Sequence, residues 1–343
     1  MIRMRAVVVG GGLAGLSAAI QLAVDGASVL VIESNRTLGG RVRIEDSGDW
    51  ILDSGLHLMR RRGPFQQLQR RLRAPRVLGK RWDSAKLVGV GCDNRRARDV
   101  LSSMRLDAGN VAERAIVPTG GWSSLIDRMI TSAKEMGVEF TFETEAKGLL
   151  LNGDNKVRAV ITNADEIECD CLVLAIPPKP AAKLLESAKL STTELDACTE
   201  QRVAALDAAL TGKPMRPYSG YFDERSGVLV IDQSKPDRLP QRGSEDECTL
   251  LHAVSLNAEG EEGLNAIKEF LDSHCSGWRN MVAIRRSTKS VMLHPSKLDE
   301  RVNGRLYITN RIALAGTHVL TPHTLSDASV DSGRKAAKLL MNR

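Results

Sequence analysis

The amino-acid sequence predicts an α/β fold that opens with a β-α-β unit, and three features of residues 6–41 lead to this prediction. Ala6 to Val9 is a short apolar run with three valines, Gly10 to Gly12 follow directly, and residues 28–32 form a second apolar run. β-Branched residues favour strands, and short apolar runs are typical of buried parallel strands. Between the two runs, apolar residues have helical spacing and end at Gly26, a typical helix stop.

The turn between the first strand and the helix has the spacing Gly10-x-Gly12-x-x-Gly15. Gly10 allows a tight turn, Gly12 lets the backbone approach a pyrophosphate, and Gly15 lets the helix pack closely on the strand. Leu13 and Ala14 begin the helix, whose free N–H groups and positive dipole end favour phosphates. A glycine-rich turn without a ligand is the alternative. The strand-helix-strand context instead predicts a Rossmann-like dinucleotide site.

Two features after the second strand extend this prediction. Glu33 lies 23 residues after Gly10, followed by Ser34, at the end of the strand where a carboxylate can accept hydrogen bonds from ribose hydroxyls. Gly40 and Arg41 follow shortly afterwards and add donors for the phosphates. Together these residues predict a dinucleotide bound by the N-terminal unit.

Composition narrows the class of protein. The 343 residues suffice for two domains, 42% are hydrophobic, and no run of 18 apolar residues indicates a membrane-spanning helix. The chain enters its first strand at once and its six cysteines are scattered, so we expect no signal peptide, reduced thiols and a cytoplasmic location. No ligand cluster surrounds His318 or His323, and we expect no metal site.

The net charge of +6 is concentrated in one segment. Nine Lys or Arg residues and no acidic residue lie between Arg60 and Arg81. The simplest interpretation is a basic face exposed to solvent. The more specific interpretation is contact with an anionic ligand or an acidic membrane surface. Aromatic residues make up only 3% of the chain, so we expect no nucleic-acid partner.

The rest of the chain suggests a discontinuous organisation. We expect an α/β domain from residues 1–58, 116–180 and 290–343, and a smaller inserted α+β domain from residues 59–115 and 181–289. Residues 76–115 are predicted to be mixed and strand-like. Antiparallel strands are expected at 218–231 and 248–255, helices at 64–72, 124–136 and 262–273, and a last helix at 330–341.

Several segments resemble the FAD-dependent amine oxidase and phytoene desaturase superfamily. The glycine turn, the acidic strand end and Gly39-Gly40-Arg41 have the family's order, and Asp53-Ser54-Gly55-Leu56-His57 looks like its D-x-G-x-H element. Pro118 to Trp122 is similar to the P-x-G-G-M element of the desaturases. Ala315-Gly316-Thr317 and residues 326–334 resemble the closing A-G-D and G-A-x-x-S-G-R elements. The likeness covers nearly the whole chain, and the chain length matches renalase-like flavoproteins.

This resemblance implies FAD and a glutathione-reductase-type FAD-binding domain. It assigns Arg41 to the phosphates and the backbone of Ala146 to the adenine. It also implies that the backbone around Ala328, Ser329 and Val330 faces the flavin, at the N-terminus of the last helix. Leu56, Gly316 and Thr317 are carried over as further cofactor contacts.

The chain departs from the family pattern in two ways that bear on function. The usual acid after Ala-Gly is Thr317, so a charge-assisted bond to the cofactor is absent and weaker binding is expected. After Tyr307 there is no Trp or Tyr, whereas amine oxidases place an aromatic cage there.

The resemblance implies an oxidoreductase that takes a hydride from a small-molecule C–H bond. Residues 204–222 look more like the desaturase branch, which favours an apolar, isoprenoid-like substrate. A renalase-like or amine-type oxidase of a small polar substrate is the first alternative, and a flavoprotein-fold binding subunit without turnover is the second. His57 is a candidate catalytic residue near the flavin, and Lys289 is a weaker one.

Overall fold

The structure is a computed structural model that describes most of the chain. The described residues are 3–42, 44–46, 50–53, 55, 59–60, 62–71, 79–105, 115–118, 121–234, 248–297, 299–323 and 325–342. Leu56 and His57, two of the predicted site residues, lie outside these ranges.

The first half of the chain combines four helices with short strands among the described residues. They are β1 (Arg5–Val9), α1 (Leu13–Val24), β2 (Ser28–Ile32), β3 (Ile44–Asp46), β4 (Ile51–Asp53), β5 (Met59–Arg60), α2 (Pro64–Arg71), β6 (Gly79–Arg81), β7 (Leu87–Val90), α3 (Asn94–Arg105), β8 (Ala115–Pro118), α4 (Gly121–Glu135), β9 (Glu139–Thr141), β10 (Ala146–Leu151), β11 (Val157–Thr162) and β12 (Glu166–Glu168).

Longer antiparallel strands dominate the second half. Its elements are β13 (Cys171–Leu174), α5 (Pro178–Ser187), α6 (Thr193–Asp196), β14 (Gln201–Leu210), β15 (Gly220–Asp223), β16 (Val228–Asp232), β17 (Thr249–Ser255), α7 (Gly260–His274), β18 (Val282–His294), β19 (Ile312–Leu314) and α8 (Leu325–Met341).

A parallel sheet forms the centre of the α/β part, with the strand order β19-β13-β1-β2-β9. Val8 of β1 is aligned with Val31 of β2 and Val173 of β13. Alternate residues of β1 enter two cores: Ala6 and Val8 pack with the helices α1, α4 and α8, and Val7 and Val9 pack with α5 and the β10–β11 hairpin. The sheet is therefore covered on both faces, as parallel sheets require.

Helices α1 and α8 pack closely beside this sheet. A Cβ atom on Gly333 of α8 would lie 2.2 Å from the carbonyl oxygen of Ala14 in α1. This approach brings the first turn of the N-terminal helix and the first turns of the C-terminal helix to the same side of the molecule.

A second sheet has six strands in the order β18-β14-β17-β16-β15-β7, with only β15 and β7 parallel. On one face, helix α7 packs Leu264 and Ile267 against Leu206 and Ala208 of β14. The opposite face of β14 presents Asp207. A strand alternates its side chains between two faces, so Val203 and Asp207 share the face opposite α7, where Val203 packs with Trp82 and helix α3 and Asp207 contacts Gly55.

Three local predictions are wrong. Residues 94–105 form helix α3 within the segment predicted as mixed and strand-like, because Ala97, Val100 and Leu101 give it one buried stripe. The strands β14 and β18 were not predicted, since β14 is buried on both faces and shows no alternation. The last helix begins at Leu325 rather than at 330.

The division into two domains stays a prediction. The parallel sheet draws strands from residues 5–9, 28–32, 139–141, 171–174 and 312–314. Strand β18 of the six-stranded sheet continues to His294, across the expected boundary after residue 289. No helix in the described ranges is both long and apolar enough to cross a membrane.

Candidate cofactor and active site

The glycine turn leaves no space for a side chain at Gly10 or Gly15. Gly10 has a φ of +101°, and a Cβ atom there would lie 2.7 Å from the carbonyl oxygen of Ala175. A Cβ atom on Gly15 would lie 1.8 Å from the carbonyl oxygen of Gly10. The turn is thus fixed against β13 and against its own helix, so the N–H groups at the start of α1 face outward from the sheet edge.

The second glycine segment lies directly on this turn. The N–H of Gly39 donates to the carbonyl oxygen of Gly11 at 2.9 Å, and a Cβ atom on Gly40 would lie 3.0 Å from the Cα atom of Gly12. Two stretches of bare backbone therefore form one concave surface. We call residues 10–15 with residues 39–41 the glycine cradle.

Glu33 closes one end of the glycine cradle. Its buried carboxylate accepts from the N–H of Gly11 at 2.7 Å through Oε2, and from the N–H of Asn35 at 3.0 Å through Oε1. A Cβ atom on Gly11 would lie 2.3 Å from Leu38 and 3.2 Å from this carboxylate. The sequence analysis did not identify Gly11, whose place between two motif glycines carries no special weight in the pattern.

The strand predicted to hold the adenine begins beside Glu33. The N–H of Thr144 donates to the carbonyl oxygen of Glu33 at 2.9 Å, and β10 starts at Ala146 two residues later. Ser34, also predicted to contact the cofactor, is exposed next to the carboxylate. The structure brings these predicted residues together at the carboxyl edge of the parallel sheet.

Arg41 connects the glycine cradle to the C-terminal part of the chain. Its Nη2 donates to Oγ1 of Thr317 at 3.2 Å, and its Nη1 donates to the carbonyl oxygens of Met292 and Leu293 at 3.4 and 3.3 Å. The side chain is exposed to solvent, yet surrounding protein lowers its pKa by desolvation. This combination is expected for a guanidinium inside a cleft.

The Ala-Gly-Thr loop is held against helix α8. Gly316 has a φ of +144°, and its N–H donates to Oγ of Ser332 at 2.9 Å. Thr317 is buried and meets Arg41 through its hydroxyl. Ala328, Ser329 and Val330 are buried within α8.

Because helix α8 begins at Leu325, its free N–H groups lie before Ser329. The helix start therefore differs from the expected one, and the contact of this backbone with the flavin stays a prediction. Of the three residues predicted, only Ala328 is at the helix start, and Ser329 and Val330 belong to the hydrogen-bonded part of the helix.

The six-stranded sheet places a polar group against the D-x-G-x-H segment. Oδ1 of the buried Asp207 accepts from the N–H of Gly55 at 3.0 Å and contacts Nδ1 of His252 at 2.7 Å. Nε2 of Gln233 donates to the carbonyl oxygen of Gly55 at 3.1 Å. We call these residues the Gly55 clamp, and Arg286 is directly opposite Asp207 in the β14–β18 pairing. The sequence analysis missed this group entirely.

Other candidate groups take no part in the site. Lys289 is exposed and pairs with Glu261 of helix α7 at 2.5 Å. Burial raises the pKa of the Cys169 thiol to about 12 and that of Cys171 to about 11, which makes both thiols unreactive.

Within the described part of the chain, no group of three His, Cys, Asp or Glu residues is arranged to hold a metal ion. The side chains of residues 69–81 lie outside the described set, so an anionic contact of the basic segment stays a prediction.

The glycine cradle fits a dinucleotide such as FAD. Bare backbone would meet the pyrophosphate, the helix start would donate to it, and the Glu33 carboxylate has further lone pairs for ribose hydroxyls. The orphaned Nε2 of His318, buried next to Thr317, is a polar atom without a protein partner in this region.

Comparison with known proteins agrees with this fold and site. Residues 8–74 match the family model described as NAD(P)-binding Rossmann-like domain, and residues 60–206 match the one described as Flavin containing amine oxidoreductase. Each match covers less than half of this chain, and the second shows a likeness to flavin-containing amine oxidoreductases. The two matches confirm the predicted α/β fold class, the resemblance and a flavin cofactor.

Individual relatives match only a short segment. A 4,4'-diaponeurosporene oxygenase from Staphylococcus aureus is 40% identical over 62 residues, which is 18% of this chain and 12% of that protein. An L-amino-acid oxidase from Crotalus adamanteus is 49% identical over 51 residues, 15% of this chain and 10% of that protein. The matched segment is therefore about a tenth of the length of these curated relatives.

A solved structure matches over the whole chain. Cyclohexylamine oxidase from Brevibacterium oxydans superposes with a TM-score of 0.70 at 15% identity and covers 99% of both chains. At this identity the likeness shows the fold alone.

Proposed function

We propose that this protein removes a hydride from a C–H bond of a small-molecule substrate. The observation that carries the proposal is the position of Arg41, which contacts Thr317 beside the glycine cradle and the carbonyl oxygens at the end of β18. Through Arg41, the predicted cofactor region is in contact with the end of strand β18 of the six-stranded sheet. When bound, FAD supplies the two-electron chemistry by accepting the hydride and passing the electrons to an acceptor.

The chain's own residues would provide binding, orientation and electrostatics. The glycine cradle and the start of α1 would bind the pyrophosphate, with Arg41 as its charged partner. Glu33 would accept from the ribose. The positive end of α8 would stabilise negative charge on the cofactor, which favours uptake of a hydride.

An apolar, isoprenoid-like substrate is the first candidate. The resemblance of residues 204–222 to the desaturase branch supports it, as does the partial match to a diaponeurosporene oxygenase. In that case the reaction would be a dehydrogenation that leaves a carbon–carbon double bond.

A small polar substrate is the second candidate, and the Gly55 clamp favours it. On the sheet face opposite α7, the buried polar residues Asp207, His252 and Gln233 lie beside an apolar cluster that includes Leu229, Ile231 and Val254. A polar substrate group would find hydrogen-bonding partners there, which an apolar substrate would leave unused. The partial match to an L-amino-acid oxidase also supports this candidate.

The substrate class can be tested by anaerobic reduction. The FAD-loaded protein would be mixed without oxygen with isoprenoids, amines, amino acids or dihydronicotinamides, and the oxidised-flavin absorption would be followed. Bleaching by isoprenoids alone would support the first candidate, and bleaching by amines or amino acids the second. A protein that holds FAD but is reduced by none of these donors would favour the binding-subunit alternative.

A further inference from the structure

Two arginines lie near the Thr317–His318 segment. Arg41 donates to Oγ1 of Thr317 at 3.2 Å. The N–H of Val302 donates to the carbonyl oxygen of His318 at 2.9 Å, in a short parallel pairing with Val319. Arg301 directly precedes Val302, so its side chain starts next to His318.

Arg301 is held in place by neutral groups only. Its Nη1 donates to the carbonyl oxygens of Thr321 and His323 at 3.4 and 2.9 Å, and its Nε is buried without a partner. Burial lowers the pKa of Arg301 and of Arg41. Among the described residues, neither arginine forms an ion pair with a carboxylate, although Arg301 is partly buried.

His318 is influenced by both cations and is almost completely buried. The side chain is 1% exposed, and its Nε2 has no hydrogen-bond partner. Burial and the positive charges of Arg41 and Arg301 lower its pKa to about 3. The ring is therefore neutral at ordinary pH and presents an unused polar nitrogen beside two cations.

Helix α8 contributes a helix start to the same region. It begins at Leu325, directly after the loop that Arg301 holds, and a helix start carries partial positive charge. The acid of its first turn, Asp327, accepts from the backbone N–H groups of Arg60 and Phe65 and forms no ion pair with Arg301. A partly buried guanidinium without an ion-pair partner is stabilised by an anion.

We propose that Arg301, with His318 beside it, forms a site for an anionic group, a carboxylate or a phosphate, next to the cofactor cradle and separate from the pyrophosphate contact of Arg41. The inference rests on the proposed function and deepens it, because it identifies the substrate as a small molecule that carries an anionic group. That group would pair with the guanidinium of Arg301, whose fork of donors suits carboxylate and phosphate oxygens.

The probes are sodium acetate and sodium phosphate, titrated into the FAD-loaded protein at constant ionic strength. Binding would be followed by the flavin difference spectrum and by calorimetry. We expect saturable binding to the wild type and at least tenfold weaker binding to Arg301→Gln. Arg301→Lys keeps the charge without the fork and should give intermediate affinity. Arg305→Gln is the matched control, since it removes an exposed arginine of the same segment and should bind like the wild type.

Three results would overturn the proposed anion site. The first two are an absence of saturable anion binding to the wild type and equal anion affinity in the wild type and Arg301→Gln. The third is loss of FAD from a folded Arg301→Gln variant, which would assign Arg301 to the phosphates of the cofactor. If Arg301→Gln does not fold, the comparison of Arg301→Lys with Arg305→Gln decides. Failure of the proposed function looks different, because a protein that no donor reduces would still bind the anions.

Discussion

The glycine cradle and the Gly55 clamp differ in the atoms that form them. The cradle consists of backbone: Gly10, Gly12, Gly15 and Gly40 lie where Cβ atoms would crowd other atoms or fill the space that a ligand needs. The clamp consists of buried side chains on separate strands, with Asp207, His252 and Gln233 meeting at Gly55. The cradle depends on the absence of Cβ atoms, and the clamp depends on particular side-chain atoms.

This difference explains how the two regions depend on sequence. A backbone surface needs glycines at fixed spacings within one β-α-β unit, so the spacing is itself the signal. A clamp between strands needs residues that are far apart in the sequence to lie side by side on neighbouring strands. No local spacing in the sequence indicates such an arrangement. The two regions should therefore respond differently to substitution.

The largest effect is expected at Gly15. A Cβ atom in Gly15→Ala would lie 1.8 Å from the carbonyl oxygen of Gly10, so the turn must open. We expect FAD affinity to fall by at least about a hundredfold, roughly 3 kcal/mol, measured by flavin retention and titration of the apoprotein. Gly153→Ala is the control, because nothing lies within 4 Å of its Cβ position. Normal FAD affinity in Gly15→Ala would refute the cradle.

The clamp should affect folding more than cofactor affinity. Asp207→Ala leaves the N–H of Gly55 and the ring of His252 without their acceptor in a buried site. We expect a loss of about 3 kcal/mol in the free energy of unfolding, measured by denaturant titration.

A double-mutant cycle isolates the Asp207–His252 pair. Asp207→Ala with His252→Ala should cost less than the sum of the single substitutions, because the second removes a partner already lost. Additive losses would show that the contact contributes no coupling energy. FAD affinity should change much less than in Gly15→Ala.

His318 should make stability depend on pH. Its folded pKa of about 3 is below the ordinary value of 6.5, so the folded state favours the neutral ring. The contribution of His318 to the free energy of unfolding is fully present above pH 6.5. It is lost as the pH falls toward 3, by up to about 1.4 kcal/mol per pH unit. Between pH 7 and pH 5 we expect the wild type to lose about 2 kcal/mol more than His318→Gln in denaturant unfolding. Equal losses would contradict the neutral buried ring.

The smallest effect is expected at Thr317. Thr317→Val removes the acceptor for Nη2 of Arg41 and keeps the shape of the side chain. FAD affinity should fall about five- to tenfold, near 1 kcal/mol, as measured by titration of the apoprotein. Thr317→Ser keeps the hydroxyl and should behave like the wild type, and a similar loss in both variants would assign the effect to packing.

The parallel sheet and the cradle could be predicted because local rules determine them. The strands around Val8 and Val31 are apolar and short, and the glycines stand at the spacing that a pyrophosphate requires. The resemblance to flavin amine oxidases then located the C-terminal contribution at Gly316 and Thr317, on a loop that the structure ties to Arg41.

The remaining features depend on tertiary contacts. Strand β14 is buried on both faces, so its residues do not alternate in polarity. Helix α3 is largely polar and shows only a narrow buried stripe at Ala97, Val100 and Leu101. For His318 the sequence indicates only that no metal-ligand cluster surrounds it, because the influence of Arg41 and Arg301 on this ring depends on residues far apart in the chain.

The FAD content of the purified protein tests the central claim most directly, namely that the two ends of the chain hold one flavin. The visible spectrum of the wild type, or of the apoprotein after addition of FAD, should show bound oxidised flavin at about one FAD per chain. Gly15→Ala should lose it and Gly153→Ala should retain it. A colourless wild-type protein that takes up no added FAD would contradict the account.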